Sequence, residues 1–335
     1  MPTRRGVAGV LWTLATLLLS ILCTSCTVVR VLYYNVPNRN APSWFDARRV
    51  EASARPVKFA RAAAPVDFAI RRSKTRSYAT FDALLAENHT TAMVVLDHGV
   101  VVYERYFDGV TAATRLPCFS MSKTFAAATI GCAEQDGLLS TDAKLVSYVP
   151  ALAEKRGYDA ITLEQLLRMT SGIDFVEESV AGAMLYYTED LRAQAHAYDV
   201  KWPAGTHYEY ASVDIQLLGE VLARKLGDET VSRYFQRRLW GPMGAEHAAT
   251  WSLDSREHGV EKFSSGLNAT ARDYARLGVV FQHGGRFGER RIVSERWVEE
   301  SLAYDDVAGV VHTTDGAVRR GRHQWFWTLD GCCYF

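Results

Sequence analysis

Ser120 and Lys123 stand three residues apart in the run Cys118-Phe119-Ser120-Met121-Ser122-Lys123, just before a stretch that carries no charge. Residues at i and i+3 share a helix face, so the hydroxyl and the amine can meet on a single turn. A serine attacks a carbonyl only when a base takes its proton, and lysine is such a base only where burial or a neighbouring cation disfavours its charged form. The start of a helix adds unpaired backbone N–H groups and a positive dipole end, both suited to a developing oxyanion. The spacing alone discriminates poorly. At a usage of about 6–7% for each residue, one S-x-x-K is expected by chance in a chain of this length. Its plain meaning is a capped helix with a solvated lysine.

The surrounding elements must therefore decide. No residue from Thr124 to Ala133 is charged, which predicts a central helix, apolar on every side, between Pro117 and Gly137. Upstream, two β-rich runs, Ala92 to Leu96 and Val100 to Phe107, flank Asp97-His98-Gly99 and read as a hairpin, with His98 a turn residue. Downstream, Thr162-Leu163-Glu164-Gln165 is a capping box opening a short helix to Met169 that stops at Thr170-Ser171-Gly172. The segment Ile173 to Trp202 has no clean period and reads as a long loop whose aromatics, Tyr187 among them, either line a cleft or cover core.

Tyr208-Glu209-Tyr210-Ala211-Ser212 precedes a helix from Val213 to Leu226 that Gly227 stops, Ser212 being either a site residue or a cap. Further helices are expected from about Glu229 to Trp240 and, capped by Thr270, from Ala271 to Val280. His323 to Leu329 returns to β-like character around Trp325, Phe326 and Trp327. A mostly helical run from Ser120 to about Phe281 thus interrupts a sheet begun by the hairpin.

At 335 residues, 48% hydrophobic and 23% charged, the chain has an ordinary globular composition and the length for two lobes. Its 38 basic and 38 acidic residues balance, so no surplus of charge points to nucleic acid. Arg4 and Arg5 precede an uncharged run from Gly6 to Val29, long enough to cross a bilayer. Residues 1–30 are therefore expected to be a signal sequence or membrane anchor, with the remainder exported to the periplasm or cell exterior. Thr24-Ser25-Cys26 also resembles a lipoprotein junction. Residues 31–80, rich in proline and arginine, read as an extended lead-in, and 81–335 as the functional domain. Of the six cysteines, Cys23 and Cys26 form a pair without a partner pair, while Cys118 and Cys132 read as small buried hydrophobes; neither arrangement implies a metal. Oligomeric state is not written in the sequence.

Four motifs occur in order: Ser120-Met-Ser-Lys123; Met169-Thr-Ser-Gly172; Pro203 to Gly205 with Tyr210-Ala-Ser212; and Gly266-Leu-Asn-Ala-Thr-Ala-Arg-Asp273. From about Ala92 to Trp327 the chain resembles the serine β-lactamase and penicillin-binding superfamily, in its class C-like branch, and within it 6-aminohexanoate-dimer hydrolases and family VIII esterases. The resemblance implies an α/β (α+β) fold, an antiparallel sheet built from both chain ends and flanked by helices, with an inserted helical lobe. It implies Ser120 as acylated nucleophile, Lys123 and Tyr210 jointly as its proton-transfer partners, and Ser212, Tyr187 and Trp327 as weaker substrate contacts. It implies no cofactor, and a small-molecule or peptide-like substrate. The family's third motif, a Gly-rich strand, finds no counterpart after Trp327, so the C-terminal strands are expected to be missing. The alternative to an active hydrolase is then a catalytically silent, membrane-tethered binding protein of the same fold. Neither G-x-S-x-G nor H-E-x-x-H occurs, which argues against an α/β-hydrolase elbow and a zincin.

Overall fold

The computed structural model describes residues 25–64, 66, 68, 78–313, 316–329 and 331–334. The expected leader, residues 1–24 of it, lies outside them, and no helix of the described residues is long and apolar enough to cross a membrane.

The helices are α1 (Ser25–Tyr34), α2 (Phe81–Glu87), α3 (Ser122–Gln135), α4 (Leu145–Tyr148), α5 (Leu163–Leu167), α6 (Val180–Tyr187), α7 (Leu191–His196), α8 (Ser212–Leu226), α9 (Val231–Phe235), α10 (Ala271–Gln282) and α11 (Glu295–Leu302). Among the described residues, three sheets of three or four strands accompany them. The first contains β1 (Ala47–Val50), β6 (Ala249–Ser252), β7 (Leu267–Ala269) and β5 (Leu116–Pro117) in that order, antiparallel throughout. The second contains β2 (Ala60–Arg61), parallel to β4 (Val100–Tyr106), which pairs antiparallel with β3 (Ala92–Asp97). The third is an antiparallel meander of β10 (Val310–Thr313), β11 (Gly316–Arg320), β12 (Phe326–Thr328) and β13 (Cys333–Tyr334). A short hairpin, β8 (Arg286–Phe287) with β9 (Arg290–Arg291), completes the set.

Local chemistry accounts for most boundaries. The β3–β4 turn has His98 at φ 47° and Gly99 at φ 77°, the paired left-handed residues a tight hairpin needs. Thr162 and Gln165 close a capping box on α5, and Thr270 caps α10 by accepting from the Asp273 amide. Gly227, at φ 63°, ends α8. Helix α3, uncharged from Thr124 to Ala133, is buried from Ser122 to Ala133. Around it Phe125 meets Phe235, Trp240 and Tyr274 at ring separations of 6.4, 6.4 and 5.8 Å. Gly131 lets the Trp297 indole of α11 lie against the helix backbone.

The structure departs from the sequence expectation in several places. The lead-in is partly strand: β1 joins the first sheet, where Val50 is fully buried. The segment from Ile173 to Trp202 is not a plain loop, because Ser179 and Asp190 cap the two short helices α6 and α7 by accepting from the Ala181 and Ala193 amides. The helix expected from Glu229 begins at Val231 behind its cap Thr230 and passes into a π turn, Gln236–Trp240. The helical lobe is interrupted by β6 and β7, each too short for a legible alternation. Strands from the two ends of the chain form separate ladders among the described residues rather than one sheet. Beyond Trp327, Cys333 and Tyr334 form the strand β13, paired to Trp327 and Phe326.

Candidate active site

Ser120 lies in a 3-10 turn, Phe119–Met121, that runs directly into α3. Phe119 holds φ at 45°, a left-handed conformation that is costly for an aromatic residue, of order 1–3 kcal/mol, and that is kept where a fold over-determines it. The turn leaves Ser120 exposed at the rim of a cavity of about 270 Å³. Ser122 anchors the turn from below, its hydroxyl accepting from the Leu267 amide of β7 at 3.1 Å.

Lys123, 1% exposed, points back along α3 so that Nζ donates to Ser120 Oγ at 3.0 Å and to the Ser264 carbonyl at 3.2 Å. Its ammonium end sits 5.0 Å from the centre of the Tyr210 ring. No carboxylate lies within ion-pair distance of it among the described residues. The three residues come from separate places: the Phe119–Met121 turn, the first turn of α3, and the segment before α8. Burial of α3 fixes the first two, and the packing of α8 on α3 brings the third to them.

The cavity wall also includes Phe119, Glu177, Leu185, Tyr186, Gln216 and Lys262. Ser212, the first residue of α8, lines it too, but its amide and hydroxyl both donate to Glu177, at 2.9 and 2.6 Å. Ser212 therefore acts first as the clamp on Glu177. Tyr187 is displaced from the expected role: it is 2% exposed, and its hydroxyl donates to the Asn35 carbonyl at 2.9 Å. Its neighbour Tyr186 makes the wall instead. Alternation of faces along α6 separates the two, which a loop reading could not foresee. Trp327 lies on β12 opposite Arg319 and Cys333; its side chain is outside the described residues.

Lys262 is a cavity residue that sequence reading did not single out. It is 2% exposed, and Nζ donates to the Tyr186 carbonyl at 2.6 Å and lies 4.4 Å from the Phe45 ring centre. Burial pushes its amine down to about 7, with Asp254 opposing the shift and Arg30 adding to it. Nothing in the local run Val260-Glu261-Lys262-Phe263 marks this.

Cys118, before α3, and Cys132, within it, are disfavoured as thiolates. Burial raises the Cys118 thiol to about 11 and the Cys132 thiol to about 12. Asp190, Asp254 and His258 bring ligand atoms within 4.8 Å of one another. However, Asp254 already accepts from the Leu191, Ser255 and Val260 amides, and Asp190 caps α7, so the cluster is accounted for by loop structure.

The chain is similar to known proteins in sequence and in fold. The profile of the beta-lactamase family matches residues 79–331. The 6-aminohexanoate-dimer hydrolase of Paenarthrobacter ureafaciens is 30% identical over 236 residues, 65% of this chain; the chain spans 58% of that relative's length. A Bacillus anthracis protein provisionally assigned as a 6-aminohexanoate-dimer hydrolase superposes with a TM-score of 0.76 at 22% identity, covering 88% of this chain and 80% of its own. A D-stereospecific amidohydrolase from Streptomyces sp. superposes with a TM-score of 0.52 at 18% identity, over 69% of this chain and 76% of its own.

Proposed function

The chain belongs to the beta-lactamase family, and from that premise we propose that it is a serine hydrolase that works through an acyl-enzyme on an amide, ester or β-lactam-like bond. The observation that carries the reading is the 3.0 Å contact between Lys123 Nζ and Ser120 Oγ at the rim of a cavity. In this mechanism Ser120 Oγ attacks the substrate carbonyl carbon while its proton passes to the Lys123–Tyr210 pair. The same pair returns the proton to the leaving nitrogen or oxygen as the tetrahedral intermediate collapses. Water, activated in the same way, then releases the acyl group from Ser120. Lys123 is placed for the role: it is buried, with Nζ 3.0 Å from Ser120 Oγ and 5.0 Å from the centre of the Tyr210 ring. A small-molecule or peptide-like substrate fits a cavity of about 270 Å³.

The test is covalent. The folded protein, incubated with a fluorophosphonate or a fluorescent penicillin, should gain an adduct that mass spectrometry places on Ser120, and Ser120→Ala should gain none. Soluble, folded wild type that takes up neither reagent overturns the proposal and leaves the silent binding protein.

We further propose that residues 1–30 export the protein or tether it to a membrane. The uncharged run from Gly6 to Val29 supports this, as do the exposed Val28, Val29, Leu32, Tyr33 and Val36 on and just after α1. Recovery of the full-length protein in the soluble cytoplasmic fraction, with its N-terminus intact, would contradict it.

A further inference from the structure

We propose that Lys262 is an anion-binding residue of the cavity and gives the site a preference for substrates that carry a carboxylate on an apolar spacer. The inference rests on the hydrolase reading only for the word substrate; the binding site itself stands on geometry.

Lys262 and Ser120 line the same cavity of about 270 Å³, whose other walls include Leu185, Leu191 and Tyr186. Lys262 is 2% exposed and makes no ion pair among the described residues. Its single hydrogen-bond acceptor there is the Tyr186 carbonyl, and Nζ lies 4.4 and 5.7 Å from the ring centres of Phe45 and Tyr186. A buried ammonium with one neutral acceptor is undersatisfied, because it has three N–H groups to place.

The charged groups nearby do not supply what is lacking. Glu177, the carboxylate of the cavity wall, is occupied by the Ser212 amide and hydroxyl. Asp254 is occupied by the backbone amides of Leu191, Ser255 and Val260. Arg30 repels the ammonium, and burial holds the Tyr186 phenol above its ordinary value and therefore neutral. A ligand carboxylate reaching Lys262 would provide the missing charge, and its apolar spacer would cover the leucine wall on the way to Ser120. Charge-assisted bonds of this kind are short and strong in a site shielded from water.

The free amine titrates near 7, so the lysine is charged below that pH and neutral above it. Anion preference should therefore be present at pH 6 and fade by pH 8.5.

The experiment is calorimetric titration of the full chain with hexanoate and, as its neutral counterpart, hexanamide. Wild type should bind hexanoate about tenfold or more tightly than hexanamide at pH 6, with the gap closing at pH 8.5. Lys262→Met should lose the preference. Lys262→Arg should keep it and lose the pH dependence, which provides a second readout should the methionine variant fail to fold. Equal affinity for the two ligands in wild type, absence of hexanoate binding, or an unchanged preference in Lys262→Met overturns the proposal. Labelling of Ser120 by a fluorophosphonate is measured in parallel: labelling without anion preference refutes this inference alone, and anion preference without labelling refutes the hydrolase reading alone.

Discussion

In the proposed mechanism Ser120, Lys123 and Tyr210 share one proton path, and their contributions should separate by substitution. Tyr210 touches the lysine through its ring. Tyr210→Phe keeps that face and removes the hydroxyl, so it should slow acylation of Ser120 by about 10²- to 10⁴-fold, the usual worth of a general acid–base group. The rate of fluorophosphonate labelling checks this, and an undiminished rate would remove Tyr210 from the mechanism. Asp214 of α8 presents a different residue-scale case. It is fully buried, Oδ1 accepts from the Ser171 hydroxyl at 2.7 Å, and Oδ2 has no hydrogen-bond partner among the described residues. Burial raises its carboxyl well above the ordinary value, the Ser171 bonds opposing. Because the folded state holds the proton more tightly, this group's contribution is intact below about pH 4 and is lost as pH rises toward the folded value. Asp214→Asn cannot lose that proton. Its urea midpoint should exceed that of wild type at pH 8, with the difference shrinking at pH 4.5.

At the scale of elements, α3 is the part on which the others depend. A helix with no polar face must be enclosed, and enclosure here leaves room for nothing larger than glycine where Trp297 crosses it. A methyl at Gly131 would come within 2.4 Å of the indole. Neither the buried helix nor the indole has space to yield, so Gly131→Ala should destabilise the protein by about 1–3 kcal/mol. A denaturant midpoint equal to wild type would show that α11 shifts freely. The Ser120 turn shows the same dependence on neighbours. Phe119 is held at positive φ by a segment anchored on both sides, through the Cys118 amide donating to the Leu267 carbonyl at 3.2 Å and the Leu267 amide donating to Ser122.

Across the whole molecule, ion pairs join segments that are far apart in sequence. Arg168, just after α5, grips Asp305 with Nε at 2.6 Å and a second nitrogen at 3.0 Å, and the Asp305 side chain is wholly buried. Burial alone would push the Asp305 carboxyl up, yet Arg168 and the Ala308 and Val307 amides hold it below its ordinary value. A hydrogen bond between His323 Nε2 and the Glu164 carboxylate, at 2.9 Å, makes a parallel link. Together they tie the C-terminal meander to the helical lobe. Removing one member of a buried pair strands the other, so Arg168→Met should cost about 3–5 kcal/mol, read by urea denaturation at pH 7. A loss below 1 kcal/mol would show that the backbone amides alone satisfy Asp305.

The sequence by itself determined the parts of this protein that rest on local chemistry. The His98-Gly99 turn, the Thr162–Gln165 box, the Thr270 cap and the uncharged run of α3 each state their conformation within a few residues. That Ser120, Lys123 and Tyr210 lie together was to be expected only from motifs that resemble those of a known family, and their roles belong to the proposal. Only the tertiary structure decided what surrounds them. Tyr186 rather than Tyr187 faces the cavity because two helix caps turn a periodless segment into α6, and β1 belongs to a sheet because β6 is there to receive it. Lys262 is an ordinary lysine in the sequence. It becomes a buried lysine, with no ion pair among the described residues, on the same cavity as Ser120 through contacts with Phe45 and Tyr186, which lie 217 and 76 positions away along the chain.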